Sequence, residues 1–74
     1  MTRVALLKKL GERIALIRKK KGLNQSQLAR LAGKDRQSIY KVEHGEFNAT
    51  FYYLFELSKA LGVKVSEITD IDQG

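Results

Sequence analysis

Along the chain, Leu7, Leu10, Ile14 and Ile17 recur at steps of three and four residues, the spacing that gathers side chains onto one face of an α-helix. Thr2 stands in front as a cap and Gly22 behind as a stop, so the pattern predicts a first helix running to about Lys21. A second helix follows the cap Asn24 and buries Leu28, Ala29 and Ala32 before Gly33. A third follows Asp35, whose carboxylate suits the positive end of the helix dipole, and turns Ile39 and Val42 inward. Glu46 to Ala49 is a loop. Thr50 caps a fourth helix to Leu61 that puts Phe51, Leu54, Leu57, Ser58 and Leu61 on its core face, and Gly62 ends it. Ser66 opens a short fifth turn, and Asp70 to Gly74 form a frayed end. The expected class is all-α, a single compact domain over residues 1–74, without linker or repeat.

The segment Gln25 to Gly45, QSQLARLAGKDRQSIYKVEHG, has the spacing that two short helices crossing at a tight turn require. Ala29 is the small residue where the helices nearly touch, and Gly33 gives the turn its permissive backbone. Ile39 and Val42 face inward, which leaves Arg36, Gln37 and Ser38 polar and outward at the start of the second helix of the pair. Side chains in that place reach base edges in a DNA major groove.

Four blocks in order resemble the small phage-repressor and Cro-type domains of the xenobiotic-response-element family. They are LGERIALIRKKKGLNQSQLA, with Arg18 and Gln25 at family positions, the turn, SIYKVEHG ending on Glu43 and Gly45, and LSKALGVKVSEI. Two positions depart from the family pattern: Lys34 replaces an apolar turn residue, and Ala49 stands where Pro often precedes the fourth helix. The resemblance implies a five-helix, lambda-repressor-like fold with its helix-turn-helix at 25–45. It further implies that Arg18 pairs with Glu43, tying the first helix to the end of the third, and that Asn48 and Thr50 lie against the DNA backbone.

Charge supports an anionic partner. Residues 1–41 hold twelve basic and two acidic residues, a net +10; residues 42–74 hold two basic and six acidic, a net −4, which together give the +6 of the whole chain. A phosphate backbone attracts such a half regardless of base sequence; a merely solvated basic face is the plainer reading of charge taken alone. Cys is absent and His44 is the sole histidine, so neither a disulfide framework nor a thiolate metal site is available, and no cofactor is implied. The apolar runs Val4 to Leu7 and Ile14 to Ile17 are too short for a signal peptide or a membrane span, which points to a reducing cytoplasm.

The reading that follows is a sequence-specific regulator of double-stranded DNA, a homodimeric repressor on a pseudo-palindromic operator. Arg36, Gln37 and Lys41 are its base-reading residues, Arg suited to guanine and Gln to adenine. Gln25 bonds a phosphate and braces Arg36. Ser38, turned partly inward, and Tyr40, along the groove wall, are weaker contacts. Lys19 and Lys20 follow the backbone or simply complement the helix dipole, and Tyr52 offers its hydroxyl to a phosphate as the alternative to a place on the dimer surface. Tyr52 and Phe55 fall outside the core stripe of the fourth helix; with Val65, Ile68 and Ile71 they suggest an apolar dimer surface, Phe55, Val65 and Ile68 foremost. Glu43 and His44 sit side by side without a nucleophile or second carboxylate at a helical step, so an enzyme is the least favoured class. Two alternatives use the same fold: an antitoxin paired with a toxin protein or a restriction-modification controller, and a protein-interaction module that does not read DNA.

Overall fold

The computed structural model describes residues 1–71 as five helices, α1 (Arg3–Lys20), α2 (Gln25–Ala32), α3 (Arg36–Glu43), α4 (Phe51–Leu61) and α5 (Val65–Ile68). The expected frayed end lies partly outside the described residues, at 72–74.

Each of the first four helices starts where a short polar side chain can take up an orphan backbone N–H. Thr2 Oγ1 accepts from Ala5 N at 3.1 Å, Asp35 Oδ1 from Ser38 N at 2.7 Å and Thr50 Oγ1 from Tyr53 N at 3.0 Å. Asn24 and Gln27 exchange two such bonds, each 2.8 Å, in a reciprocal capping box. α2 and α4 close on Gly33 and Gly62, both left-handed, with φ of 68° and 71°. α5 begins at Val65 and not at Ser66, and its cap residue, Lys64, makes no side-chain bond to the helix start.

Every helix sends one completely buried aliphatic side chain to the centre: Ile14, Leu28, Ile39, Leu57 and Ile68 are each 0% exposed. Burying one such side chain is worth about 2 kcal/mol. Leu10, Ile17, Ala29, Val42, Leu54 and Leu61 extend the same core. α3 packs on α1 and α2, α4 on α2 and α5, and α5 returns to α1.

Two expectations are corrected by this arrangement. Phe51 is not a core residue; it stands in the first turn of α4 and is 71% exposed, while Tyr53 is buried instead. Ile68 is not on the surface, because the short α5 folds it under α1 and α4, so it belongs to no dimer face.

α1 crosses the end of α3 at close range. Gly11 is buried there, and a Cβ on it would lie 2.3 Å from the Glu43 carbonyl oxygen and 2.5 Å from that of Val42. Only glycine lets the backbones meet so closely. Among the described residues, no helix is long and apolar enough to cross a membrane.

Candidate nucleic-acid interface

α3 is built to expose its first turn. Asp35 ends the turn from Gly33 and caps the helix, so Arg36 and Gln37 are the first two helical residues, and both are exposed. Lys41 lies one turn beyond Gln37 on the same side, exposed as well. Gln37, Ser38 and Lys41 line one shallow cleft together with Asp35 and Phe47; Arg36 stands outside it. Among the described residues, the side chains of Arg36, Gln37 and Lys41 make no hydrogen bond or ion pair within the protein. Ser38 is half-buried and directed inward: its Oγ lies 3.1 Å from the Asp35 carbonyl and 3.0 Å from the Tyr53 hydroxyl. Tyr40 is exposed farther along, its ring stacked on His44 at 3.9 Å, while His44 Nδ1 lies 2.8 Å from the Tyr40 carbonyl. His44 is thus an exposed helix-end residue.

Behind this face a single carboxylate ties three helices. Arg18 of α1 donates from Nε to Glu43 Oε2 at 2.6 Å and from Nη2 to Oε1 at 2.9 Å, a two-pronged ion pair in which both residues are 7% exposed. Gln25 of α2 adds a bond from Nε2 to Oε1 at 3.0 Å, and Arg18 Nη1 donates to the Leu23 carbonyl at 2.9 Å. The amide of Gln25 is therefore on Glu43 and does not brace Arg36. Lys19 and Gln25 line the cleft above this cluster; Lys20 is exposed but outside it.

Other cations of the basic half are spent on the acidic half. Arg13 donates to the Glu67 carbonyl at 2.7 Å and stands 4.0 Å from Asp70. Lys34, the departure in the turn, pairs with Glu56 at 2.5 Å and lies 5.0 Å from the centre of the Tyr53 ring. The bond to Glu56 raises the Lys34 amine above its ordinary value of 10.5, against the opposing effect of burial.

Asn48 and Thr50, before α4, are exposed. Tyr52 and Phe55 are exposed on α4 and line another cleft with Leu31 of α2, while Val65 is half-buried. The sequence pattern alone does not single out Gly11, Tyr53 or Phe47. Gly11 carried one signal, since an interior helical glycine costs about 1 kcal/mol against Ala and calls for a packing reason.

A family model for the helix-turn-helix, HTH_3, matches residues 14–68, from the middle of α1 to the last residue of α5. The chain belongs to this helix-turn-helix family. As an HTH_3 member it is a DNA-binding transcriptional regulator, and its partner is double-stranded DNA. It is 36% identical over 67 residues to an uncharacterized HTH-type transcriptional regulator of Sinorhizobium fredii, covering 89% of this chain and 87% of that protein. It is 37% identical over 59 residues to the immunity repressor of Bacillus phage phi105, covering 80% of this chain and 41% of that repressor. Among solved structures, the restriction-modification controller C.AhdI from Aeromonas hydrophila superposes with a TM-score of 0.85 at 38% identity, covering 86% of this chain and 97% of that one.

Proposed function

We propose that this HTH_3 protein is a repressor that binds a pseudo-palindromic operator as a homodimer, each copy entering the major groove with the first turn of α3. The observation that carries the reading is the pair Arg36 and Gln37: exposed, directly behind the cap, and without an internal bond among the described residues. Each can make a two-pronged bond to one base, Arg36 to guanine and Gln37 to adenine, with Lys41 a turn deeper along the helix. Phosphate contacts come from Lys19, Lys20, Asn48, Thr50, Tyr52 and the second amide hydrogen of Gln25. Thr50 accepts at its oxygen from Tyr53 and keeps its own proton to donate. Ser38 supports from within, and Tyr40 lies along the groove wall. Arg18 and Glu43 hold the reading helix in place.

One small helix reads too few base pairs to select a single operator, which favours two copies on half-sites about one helical turn, ~34 Å, apart. The exposed Phe55, which lines one cleft with Leu31 and Tyr52, is the apolar face assigned to the contact between copies, and Val65, half-buried on α5, is the further candidate. Likeness to C.AhdI over 97% of that chain favours a second reading of the same chemistry, a controller of a restriction-modification system.

Selection from a randomised double-stranded DNA library, sequenced after several rounds, tests the proposal. The expected product is a motif of two inverted half-sites. Enrichment of a lone half-site would count against the dimer, and no enrichment at all would leave the fold as a protein-interaction module.

A further inference from the structure

The buried phenol of Tyr53 has no part in the proposed DNA contacts, yet it sits where the helix-turn-helix meets α4. Phe47 packs edge-on against its ring at 5.3 Å, and the Lys34 ammonium lies 5.0 Å from the ring centre, anchored in turn to Glu56. Its hydroxyl is 3.0 Å from Ser38 Oγ.

The direction of that bond follows from the proton count. Ser38 Oγ has one proton, and the Asp35 carbonyl 3.1 Å away can only accept. The Ser38 proton goes there, so Tyr53 donates to Ser38. Burial pushes the phenol above its ordinary value of 10.0, against the pull of the Lys34 charge, and the donor stays protonated. The chain of bonds runs from Tyr53 to Ser38 to the Asp35 carbonyl, and Ser38 N returns to Asp35 Oδ1 at 2.7 Å. It ends on the residue that fixes where α3 begins, next to Arg36 and Gln37.

We infer that Tyr53 is a positioning residue for base readout: through Ser38 it holds the first turn of α3 from behind, so that Arg36 and Gln37 meet the bases in one orientation. The inference rests on the proposal that this turn reads DNA. Two-pronged bonds to a base demand a fixed approach, whereas phosphate contacts set register without reading sequence and tolerate small rotations. Loss of the brace therefore lowers discrimination and spares general DNA affinity.

The test is Tyr53→Phe, which removes one oxygen and keeps the ring against Phe47. Its readout is the ratio of affinities for a duplex selected from the random library and for versions of that duplex with one base pair changed. The ratio should fall about fivefold, the worth of one net hydrogen bond, while affinity for unrelated duplex DNA and its salt dependence stay at the parental values. Ser38→Ala should do the same, and the double variant should lose no more than either single one. Ser58→Ala removes another buried hydroxyl of α4, one bonded to the Phe55 carbonyl at 2.6 Å, and should leave the ratio unchanged. A parental ratio in Tyr53→Phe, an equal fall in Ser58→Ala, or multiplied effects in the double variant would overturn the inference. Arg36→Ala in the same assay separates the two levels. If it alters base preference while Tyr53→Phe does not, only the positioning role fails; if neither does, the reading of α3 fails with it.

Discussion

Gly11 of α1 faces the backbone carbonyl of Glu43 so closely that no side chain fits between them, a Cβ there falling 2.3 Å from the oxygen. Both neighbours are main chain, so neither can rotate away. Gly11→Ala should cost about 3 kcal/mol or more, although alanine is the better helix former. Gly33→Ala, at φ 68° with nothing within 4 Å of the added carbon, should cost about 1–2 kcal/mol. Chemical denaturation of the two variants checks the order; a milder effect at Gly11 would mean that α1 can lift off α3.

The ion pair behind α3 makes a second expectation. Replacing Arg18 or Glu43 with Ala leaves its partner charged and buried, and should destabilise the domain by about 3–5 kcal/mol. Arg18→Lys keeps the charge but loses the fork that spans both carboxylate oxygens, so it should fall between the parent and Arg18→Ala. Melting temperatures unchanged in both alanine variants would remove the pair from the account of stability.

What was legible in the chain was local chemistry. Thr2, Asn24, Asp35 and Thr50 each bond a backbone N–H three residues ahead, so their role depends on nothing distant. The core faces of α1 to α3 were readable because their apolar residues repeat. Phe51 and Tyr53 were not, since at 100° per residue they stand on opposite flanks of the Leu54, Leu57 and Leu61 stripe. Tyr53 is inside because Phe47, Lys34 and Ser38 converge on it from other elements, and no helical pattern contains them. Ile68 failed for a related reason: a four-residue helix has too little periodicity to reveal its buried side. On the face proposed to read DNA, exposure of Arg36, Gln37 and Lys41 followed from Ile39 and Val42 being inside, whereas the bond of Gln25 to Glu43 joins residues far apart in sequence and leaves no periodic signal.

Reading and holding should separate in binding. Arg36→Ala and Gln37→Ala should each cost about 1–3 kcal/mol on the selected duplex and relax preference at one base position per half-site. Lys19→Ala and Lys20→Ala should weaken all duplexes alike, with the log–log salt slope shallower by about one for each phosphate no longer held. Titrations at two salt concentrations distinguish these outcomes, and parental base preferences in both α3 variants would sink the assignment of the reading helix.

Phe55 and Ile68 should respond oppositely to a charge. Phe55→Glu places it on the surface and should yield a folded protein that sediments as a monomer and binds the two-half duplex poorly. Ile68→Glu buries it at the centre and should prevent folding. If Phe55→Glu sediments and binds as the parent does, the copies meet elsewhere.

Alkaline pH isolates Tyr53. Its phenol is raised in the folded protein, chiefly by burial, so the contribution is whole below the unfolded value of 10.0 and is lost as pH rises through the higher folded one. Above pH 10 the melting temperature of the parent should drop more steeply than that of Tyr53→Phe, which has no such group. The Lys34 amine is common to both proteins and largely cancels. Parallel curves would mean that the phenol ionises as freely in the fold as outside it.

The side chains of Arg36, Gln37 and Lys41 owe nothing to the interior, since among the described residues none of them bonds to another part of the chain. Exchanging them therefore leaves the caps, the Glu43 junction and the five central aliphatics intact. On the proposal that these side chains read the bases, a lineage carrying this scaffold is free to drift from one operator to another by single substitutions at these positions, without passing through a misfolded ancestor. The same independence makes the three positions a small alphabet for engineering: a library randomised there should consist mostly of folded proteins that differ in the DNA they prefer.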